Sequence, residues 1–320
     1  MLEEDAYMYI IDFIKRITYK TNIPILIYLV LNIFMIAGVI QLFWGESENL
    51  PFWKTLLGAI LVYVISLFIA LSPLGECILR KQIHCKTIKR TEQINFMEPI
   101  FREVSKRAET IDSAVPKDVR LFINEDKAPN ALATGRKTIC ITEGLLKMPE
   151  SQIKAVLGHE FGHLAHKDTD FLLVISVGNL IVNVLIMGIR LLLDLFNIIF
   201  SGIALIIGGK RGVIAAVFSA IYHALLSIFV AGLMWIWTKI GTLLVMKSSR
   251  ENEYEADEFA FNLGYGNELC EMLDSIEESK EQGLFAALTS SHPNKNDRII
   301  KLQQLGATYQ SAYEKKCGDD

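Results

Sequence analysis

Charged residues are absent from four long stretches of this 320-residue chain. The stretches cover residues 21–45, 55–75, 171–189 and 212–238, and they contain 25, 21, 19 and 27 residues. A helix crosses the ~30 Å core of a bilayer with about 20 apolar residues, and buried core helices of this length without charges are rare. We therefore predict an α-helical polytopic membrane protein with about four transmembrane helices. The first stretch is too long for a cleaved signal peptide.

Basic residues are scarce between the first two stretches, where Lys54 is accompanied by Glu46 and Glu48. They are abundant on both flanks, as Lys15, Arg16, Lys20, Arg80, Lys81, Lys86, Lys89 and Arg90. Because basic loops stay on the cytoplasmic side, both ends of this hairpin are predicted to be cytoplasmic. The net charge of −4 gives no indication of a nucleic-acid partner.

Cysteine is also scarce, with five residues and no C-x-x-C pair, and the number is odd. On the cytoplasmic side we expect all of them to be reduced thiols. They are Cys77, Cys85, Cys140, Cys270 and Cys317.

The most informative segment that is present reads H-E-F-G-H at residues 159–163. On a helix, His159 and His163 lie on one face and can hold one metal ion. Glu160 lies about 100° further around the helix, beside the metal, where it can deprotonate a water molecule. Two imidazoles with an adjacent carboxylate base are the core of a zinc hydrolase. The surrounding residues 150–167 have apolar side chains at helical spacing, which supports a packed helix.

A catalytic zinc ion takes three protein ligands and keeps one open position. A metzincin-type third histidine would fall at Thr169, so that class is excluded. His166 is better explained as a surface or supporting histidine. The acidic segment 249–257 offers several glutamates among which composition cannot choose. Glu253 and Asp257 are four residues apart and share a helix face, so that one can bind zinc while the other accepts the N–H of a ligating histidine.

If segment 249–257 completes the site, it lies on the same side of the membrane as the histidines. Residues 171–246 then cross an even number of times, and we expect one long hairpin with spans near 171–190 and 213–245. Arg190, Asp194, Lys210 and Arg211 are expected near its outer turn. His223 lies inside a predicted span, and with no obvious acidic partner it is expected to be a neutral histidine bonded to a neighbouring helix.

Segments 119–124 and 137–142 have the composition of strands, and residues 96–114 suit a helix. A small sheet beside the H-E-x-x-H helix could pair its edge strand with an extended peptide. The same residues could also form a purely structural hairpin.

Taken in order, these motifs resemble the HtpX family of membrane-bound zinc endopeptidases and, more distantly, the CAAX prenyl endoproteases. The shared features are two N-terminal spans, P-N-A at 129–131, H-E-F-G-H, a hydrophobic hairpin, S-R-x-x-E-x-x-A-D at 249–257 and S-H-P at 291–293. The resemblance implies Glu253 as the third zinc ligand and Asp257 as the partner of a ligand histidine.

The resemblance also implies residues that bind substrate. It implies Asn130 and Ala131 on the substrate-binding edge strand. It implies His292 near the scissile carbonyl, as a catalytic residue, with Arg298 supporting it.

These features together predict a cytoplasmic, mostly α-helical zincin-type peptidase domain with a small β-sheet, in the inner or plasma membrane of a prokaryotic cell. The expected parts are an interfacial segment 1–20, hairpins 21–76 and 171–246, and two peptidase segments, 77–170 and 247–320. One Zn²⁺ per chain is expected, with polypeptide substrates, a lipid bilayer and no nucleic acid as partners. The implied function is the cleavage of membrane proteins in quality control. The alternatives are a dedicated processing protease for a lipidated or precursor peptide, and a receptor or scaffold with a vestigial metal site.

Overall fold

A computed structural model describes residues 13–15, 17–18, 22–44, 51–207, 209–275 and 294–310. Within this part of the chain the fold is mostly helical, with one small sheet, as the sequence predicts. The element order is two helices, a short helix, a sheet domain built around a central helix, a long helical pair and two closing helices.

The first hairpin consists of α1 (Ile23–Trp44) and α2 (Phe52–Ala70). Their buried face contains Tyr28 and Tyr63, and Asn32 donates a hydrogen bond to the Tyr63 hydroxyl at 3.3 Å. Their outer faces leave large apolar side chains exposed. Among the described residues, α2 is the one helix that passes both length and composition tests for crossing a membrane. The other three predicted spans remain predictions.

The second helical pair consists of α6 (Thr169–Ile207) and α7 (Gly209–Asn262). The two helices are antiparallel, because Asn197 contacts Ser219 while Asp194 contacts His223. At 1.5 Å per residue, the 39 and 54 residues reach about 58 and 81 Å. Gly209 begins α7 with a φ of +51°, which suits glycine at a tight reversal.

The predicted position of the outer turn of this pair is wrong for two of its four charged residues. Lys210 and Arg211 lie at the reversal, but Arg190 and Asp194 lie well inside α6. The helix contains no proline, and it continues through Gly188 and past both charges. The expectation that His223 has no acidic partner is also wrong, because its Nδ1 atom lies 3.6 Å from Asp194 Oδ1.

The sheet has the strand order β1-β2-β4-β3, with β1 (Lys86–Thr87), β2 (Arg120–Asn124), β3 (Ala131–Thr134) and β4 (Thr138–Thr142). Strands β2 and β4 are parallel and occupy the two predicted segments to within one residue. Strand β3 is antiparallel to β4 and forms one edge of the sheet, with Ala131 opposite Ile141 and Ala133 opposite Ile139.

Helix α5 (Glu150–His166) crosses the middle of the domain and contains the H-E-F-G-H segment. It packs against α4 (Thr91–Ile111), β3, α7 and α8 (Gly266–Ser275), and α9 (Lys295–Leu305) closes the far side. The apolar core includes Ile153, Leu157 and Phe161 of α5, which are fully buried. A helix that is buried on most of its surface is a rigid support for a site.

One cysteine prediction is wrong. Cys85 and Cys140 form a disulfide, whereas all cysteines were expected as free thiols. The two residues are 55 positions apart, and they meet because β1 pairs with β2 and β2 with β4. A spacing rule on the sequence cannot detect a pair that only the sheet brings together. Cys77 and Cys270 are free.

Candidate active site

Three side chains from two helices converge at one point. His159 and His163 extend from one face of α5, and Glu253 reaches them from α7. The two imidazole Nε2 atoms are 3.1 Å apart. Glu253 Oε2 lies 3.4 Å from His159 Nε2, and its Oε1 lies 3.4 Å from His163 Nε2.

These separations fit a zinc ion. Tetrahedral zinc with bonds of about 2.0–2.1 Å holds its ligand atoms about 3.3 Å apart. Among the candidate glutamates of α7, Glu253 is 2% exposed, whereas Glu251 and Glu255 face solvent. The donor set of two imidazoles and one carboxylate therefore matches a catalytic zinc site with an open fourth position.

Each histidine is held at its other ring nitrogen by a carboxylate. His159 Nδ1 lies 2.9 Å from Asp257 Oδ1, and His163 Nδ1 lies 2.9 Å from Asp168 Oδ2. Such bonds leave Nε2 free to bind a metal. Asp257 lies one helical turn after Glu253, in the position that the sequence suggested. Asp168 was missed, although it follows the second histidine by five residues.

The Asp168 contact depends on how α5 ends. Lys167 adopts a left-handed conformation with a φ of +58°, which terminates the helix and turns the next residue back. Burial lowers the pKa of His163, but Asp168 and Glu253 more than offset this and hold it well above its ordinary value. A metal ion would therefore compete with a proton for this ring.

Arg298 of α9 lies behind the three converging side chains. Its Nε and Nη2 atoms donate to both oxygens of Asp257 at 2.8 and 2.6 Å, and its Nη1 lies 3.4 Å from Glu253 Oε2. Burial alone would raise the pKa of Asp257, but the Arg298 guanidinium holds it below its ordinary value. The side chain is 5% exposed, and its guanidinium contacts two carboxylates, those of Asp257 and Glu253. Its implied role in substrate binding stays a prediction.

Glu160 is buried between α5 and the sheet edge. Its Oε2 accepts a hydrogen bond from the Ala133 N–H of β3 at 2.5 Å. Asn130 donates its own N–H to Thr142 and accepts the Ala131 N–H on its side-chain oxygen, which starts the strand. The predicted base and the predicted edge strand are thus in direct contact.

The close approach of α5 and α7 depends on two glycines. A Cβ on Gly162 would lie 2.9 Å from the Ala256 Cα, and one on Gly158 would lie 3.1 Å from Leu263 Cδ1. Because these positions lack side chains, the backbone of α7 can approach until Glu253 reaches the histidines. The two glycines therefore allow the close contact between α5 and the segment that follows Glu253.

Two other histidines, His166 and His223, lie away from the three converging side chains. His166 Nδ1 is 3.9 Å from Glu255 Oε2, and its ring contacts Phe259 rather than the other imidazoles. His223 lies on the α6–α7 pair. His292 falls in 276–293, outside the described residues, so its predicted role near the scissile bond stays a prediction.

Comparison with known proteins agrees with this geometry. The model of peptidase family M48 matches residues 98–305, which contain strands β2, β3 and β4, helix α5 and Glu253. The chain belongs to peptidase family M48. A Protease HtpX homolog of Campylobacter concisus is 28% identical over 235 residues, which cover 64% of this M48 chain and 74% of the relative.

Two further relatives have partial or distant similarity. Protease HtpX homolog 2 of Sulfurisphaera tokodaii is 34% identical over 158 residues, covering 47% of this M48 chain and 45% of its own. The crystal structure of S. mikatae Ste24p aligns with 89% of this chain and 66% of its own, at 18% identity and a TM-score of 0.38. The family and these HtpX relatives support a metallopeptidase, and the three converging side chains are its candidate metal site.

Proposed function

We propose that this chain is a membrane-embedded zinc endopeptidase that cleaves peptide bonds of membrane proteins at the cytoplasmic face. One observation carries the proposal. His159, His163 and Glu253 converge at one point, and Glu160, on the next residue of the same helix, contacts an edge strand. A metal site, a base and a peptide-binding edge are the parts that peptide hydrolysis needs.

The three ligands would hold one zinc ion, which supplies Lewis-acid polarisation of the peptide carbonyl and acidifies water. Glu160 then acts as the general base, taking a proton from the attacking water and delivering it to the leaving amine. Asp257 and Asp168 keep the two imidazoles oriented, and Arg298 fixes Asp257.

The edge strand β3 would align the substrate. The outward-facing backbone groups of Ala131 and Ala133 can pair with an extended peptide, as strand addition requires. In the structure the Ala133 N–H is bonded to Glu160. A substrate carbonyl that takes this N–H would release the Glu160 carboxylate for proton transfer. His292 is proposed as a donor to the developing oxyanion, a role typically worth about 10²–10³-fold in kcat.

The two helical pairs would anchor the enzyme in the bilayer. Their outer faces expose large apolar side chains, among them Leu61, Phe68, Phe200 and Phe218. Such side chains are stable against lipid and costly against water. The proposal includes four spans, a cytoplasmic peptidase domain and a location in the inner or plasma membrane of a prokaryote. The apolar faces support the spans, and the basic flanks of the first hairpin support the cytoplasmic side.

Substrates are proposed to be misfolded or damaged membrane proteins. A dedicated processing protease is the main alternative, and a receptor or scaffold with a vestigial metal site is the non-enzymatic one. Cleavage of several unrelated membrane proteins by one preparation favours quality control, whereas cleavage of a single precursor favours processing. Purified protein that holds no zinc would favour the receptor.

The decisive experiment compares membranes that contain the wild type with membranes that contain Glu160→Gln. The variant keeps the shape of the side chain and its hydrogen-bonding capacity but removes the base. We expect membrane-protein fragments that depend on the wild type and disappear in the variant, with zinc content equal in both. Identical fragment patterns would refute the proposed function.

A further inference from the structure

The turn that joins β3 to β4 is fastened to the helix that follows the first hairpin. This short helix is α3 (Pro73–Gln82), and its Glu76 lies under the turn. Glu76 Oε1 accepts the Arg136 N–H at 2.7 Å, and its Oε2 accepts the Thr138 hydroxyl at 3.1 Å. Gly135 has a φ of +60°, and a Cβ there would lie 2.3 Å from Glu76. The backbone of the turn therefore rests directly on this carboxylate.

The same turn is fastened from the other side to the start of α6. Arg136 donates two hydrogen bonds to Asp170, from Nε at 3.3 Å and from Nη2 at 3.0 Å, and both side chains are buried. The Thr169 hydroxyl donates to the Gly135 carbonyl. Two parallel bonds between a guanidinium and a carboxylate fix orientation as well as distance. The turn is thus held between residues that adjoin each helical pair.

The fastened turn is close to the catalytic base. Ala133, whose N–H contacts Glu160, lies two residues before Gly135 on β3. A short edge strand pairs with another strand on one side only, so it has few ladder hydrogen bonds to fix its position. Its position is therefore determined at one end by Asn130 and at the other by the contacts of Arg136.

We propose that Glu76, Arg136 and Asp170 are positioning residues that hold β3 in register with Glu160 for binding of an extended substrate. This assignment rests on the proposed function. The contacts of these side chains lie at the turn between β3 and β4, so we expect their effect on chemistry to pass through the backbone of β3. Misplacement of a reacting group by 1 Å can cost about 10²-fold in rate.

A positioning role predicts a dependence on substrate length. A peptide that pairs with several residues of β3 is aligned by the whole strand, so its cleavage depends on the position of that strand. A peptide of three or four residues contacts little beyond the metal centre. Loosening the turn should therefore penalise long peptides more than short ones. Loss of folding or of metal would penalise both equally.

The test uses the full-length protein with Arg136→Lys and Glu76→Gln. The first keeps the positive charge but loses the two parallel bonds to Asp170, and the second keeps the shape but loses the negative charge. Lys137→Gln is the matched control, because Lys137 lies in the same turn but forms an exposed pair with Asp118. Zinc affinity is measured by chelator competition, and kcat and KM are measured on a peptide of about twelve residues and on one of four. Hydrogen exchange of the segment 131–135 provides a readout that does not depend on activity.

We expect both variants to keep the zinc affinity of the wild type. On the long peptide kcat/KM should fall by about 10–100-fold, and on the short peptide by less than about threefold. Exchange of 131–135 should speed up, and Lys137→Gln should match the wild type in every measurement. Equal losses on both peptides, or unchanged exchange, would overturn the positioning role alone. If the wild type shows no cleavage that depends on Glu160, the proposed function is overturned, and the positioning role with it.

Discussion

The close contact between α5 and α7 predicts that Gly162→Ala weakens zinc binding. In Gly162→Ala, the new Cβ would lie 2.9 Å from the Ala256 Cα, which is backbone and cannot rotate away. Ordinary carbon contacts are about 3.5–4.0 Å, so the helices would separate by roughly 0.6–1.1 Å. Ala256 is three residues after Glu253, so the ligand moves with it. Metal sites tolerate ligand distances only within about ±0.2 Å.

The expected result is a loss of zinc affinity in a folded protein. Disturbing the support of a metal ligand typically costs about 10–100-fold in affinity, or roughly 1.4–2.7 kcal/mol. Overpacking adds a stability cost of about 1–3 kcal/mol, partly offset by up to ~1 kcal/mol because alanine favours the helix. Zinc affinity is measured by chelator competition, and folding by circular dichroism and gel filtration.

Substitutions at two other glycines serve as a milder change and as a control. In Gly158→Ala the nearest atoms belong to the Leu263 and Tyr265 side chains, at 3.1 and 3.3 Å, which can shift, so the loss should be smaller. Gly202→Ala meets nothing within 4 Å and should bind zinc as the wild type does. Equal zinc affinity in the Gly162 and Gly202 variants would refute the argument that close packing delivers Glu253 to the site.

Four further outcomes follow from the structure. Glu253→Ala should lose zinc measured by metal analysis, whereas the exposed Glu251→Ala should keep one ion per chain; equal zinc contents would contradict the ligand assignment. Glu160→Gln should keep zinc and lose peptide cleavage, and cleavage at the wild-type rate would exclude Glu160 as the base. Cys85→Ser opens a 55-residue loop and should lower the stability to denaturant, by at most roughly 4 kcal/mol in the chain-entropy account. The difference in stability should vanish when the variant is compared with the reduced wild type. Burial raises the pKa of Asp170 to about 6 despite Arg136, so the folded state holds the Asp170 proton more tightly than the unfolded chain does. The stability of the wild type relative to Asp170→Asn should therefore fall by up to ~3 kcal/mol as pH rises from about 4 to 6. A stability difference that does not change with pH would contradict this.

The parts of the site that sequence reasoning could find are those encoded by local spacing. His159, His163 and Glu160 follow from one helix. The four-residue distance between Glu253 and Asp257 places both on one helix face, but it does not decide which of them binds the metal. The choice of Glu253 over its neighbours came from the family resemblance, because all three glutamates lie on one acidic helix and differ only in burial.

The missed features depend on contacts between distant segments. Asp168 reaches His163 only because Lys167 turns the chain back with a positive φ. The Cys85–Cys140 pair requires a two-residue strand, β1, which is too short to produce a pattern. Strand β3 has only four residues, too few to show an alternating pattern, so the edge strand at Ala131 came from the family resemblance alone. The course of α6 past Arg190 was missed because charge was taken to mark the end of a span.

Because α7 is a single helix of 54 residues, the orientation of Glu253 is set by the count of residues along it. Each inserted residue between 239 and 250 would advance that carboxylate by about 1.5 Å and rotate it by about 100°. One inserted residue would aim it away from the histidines. Seven would restore the direction almost fully but shift it by about two turns. The length of this segment therefore fixes how the part of α7 that carries Glu253 is rotated relative to the part that pairs with α6.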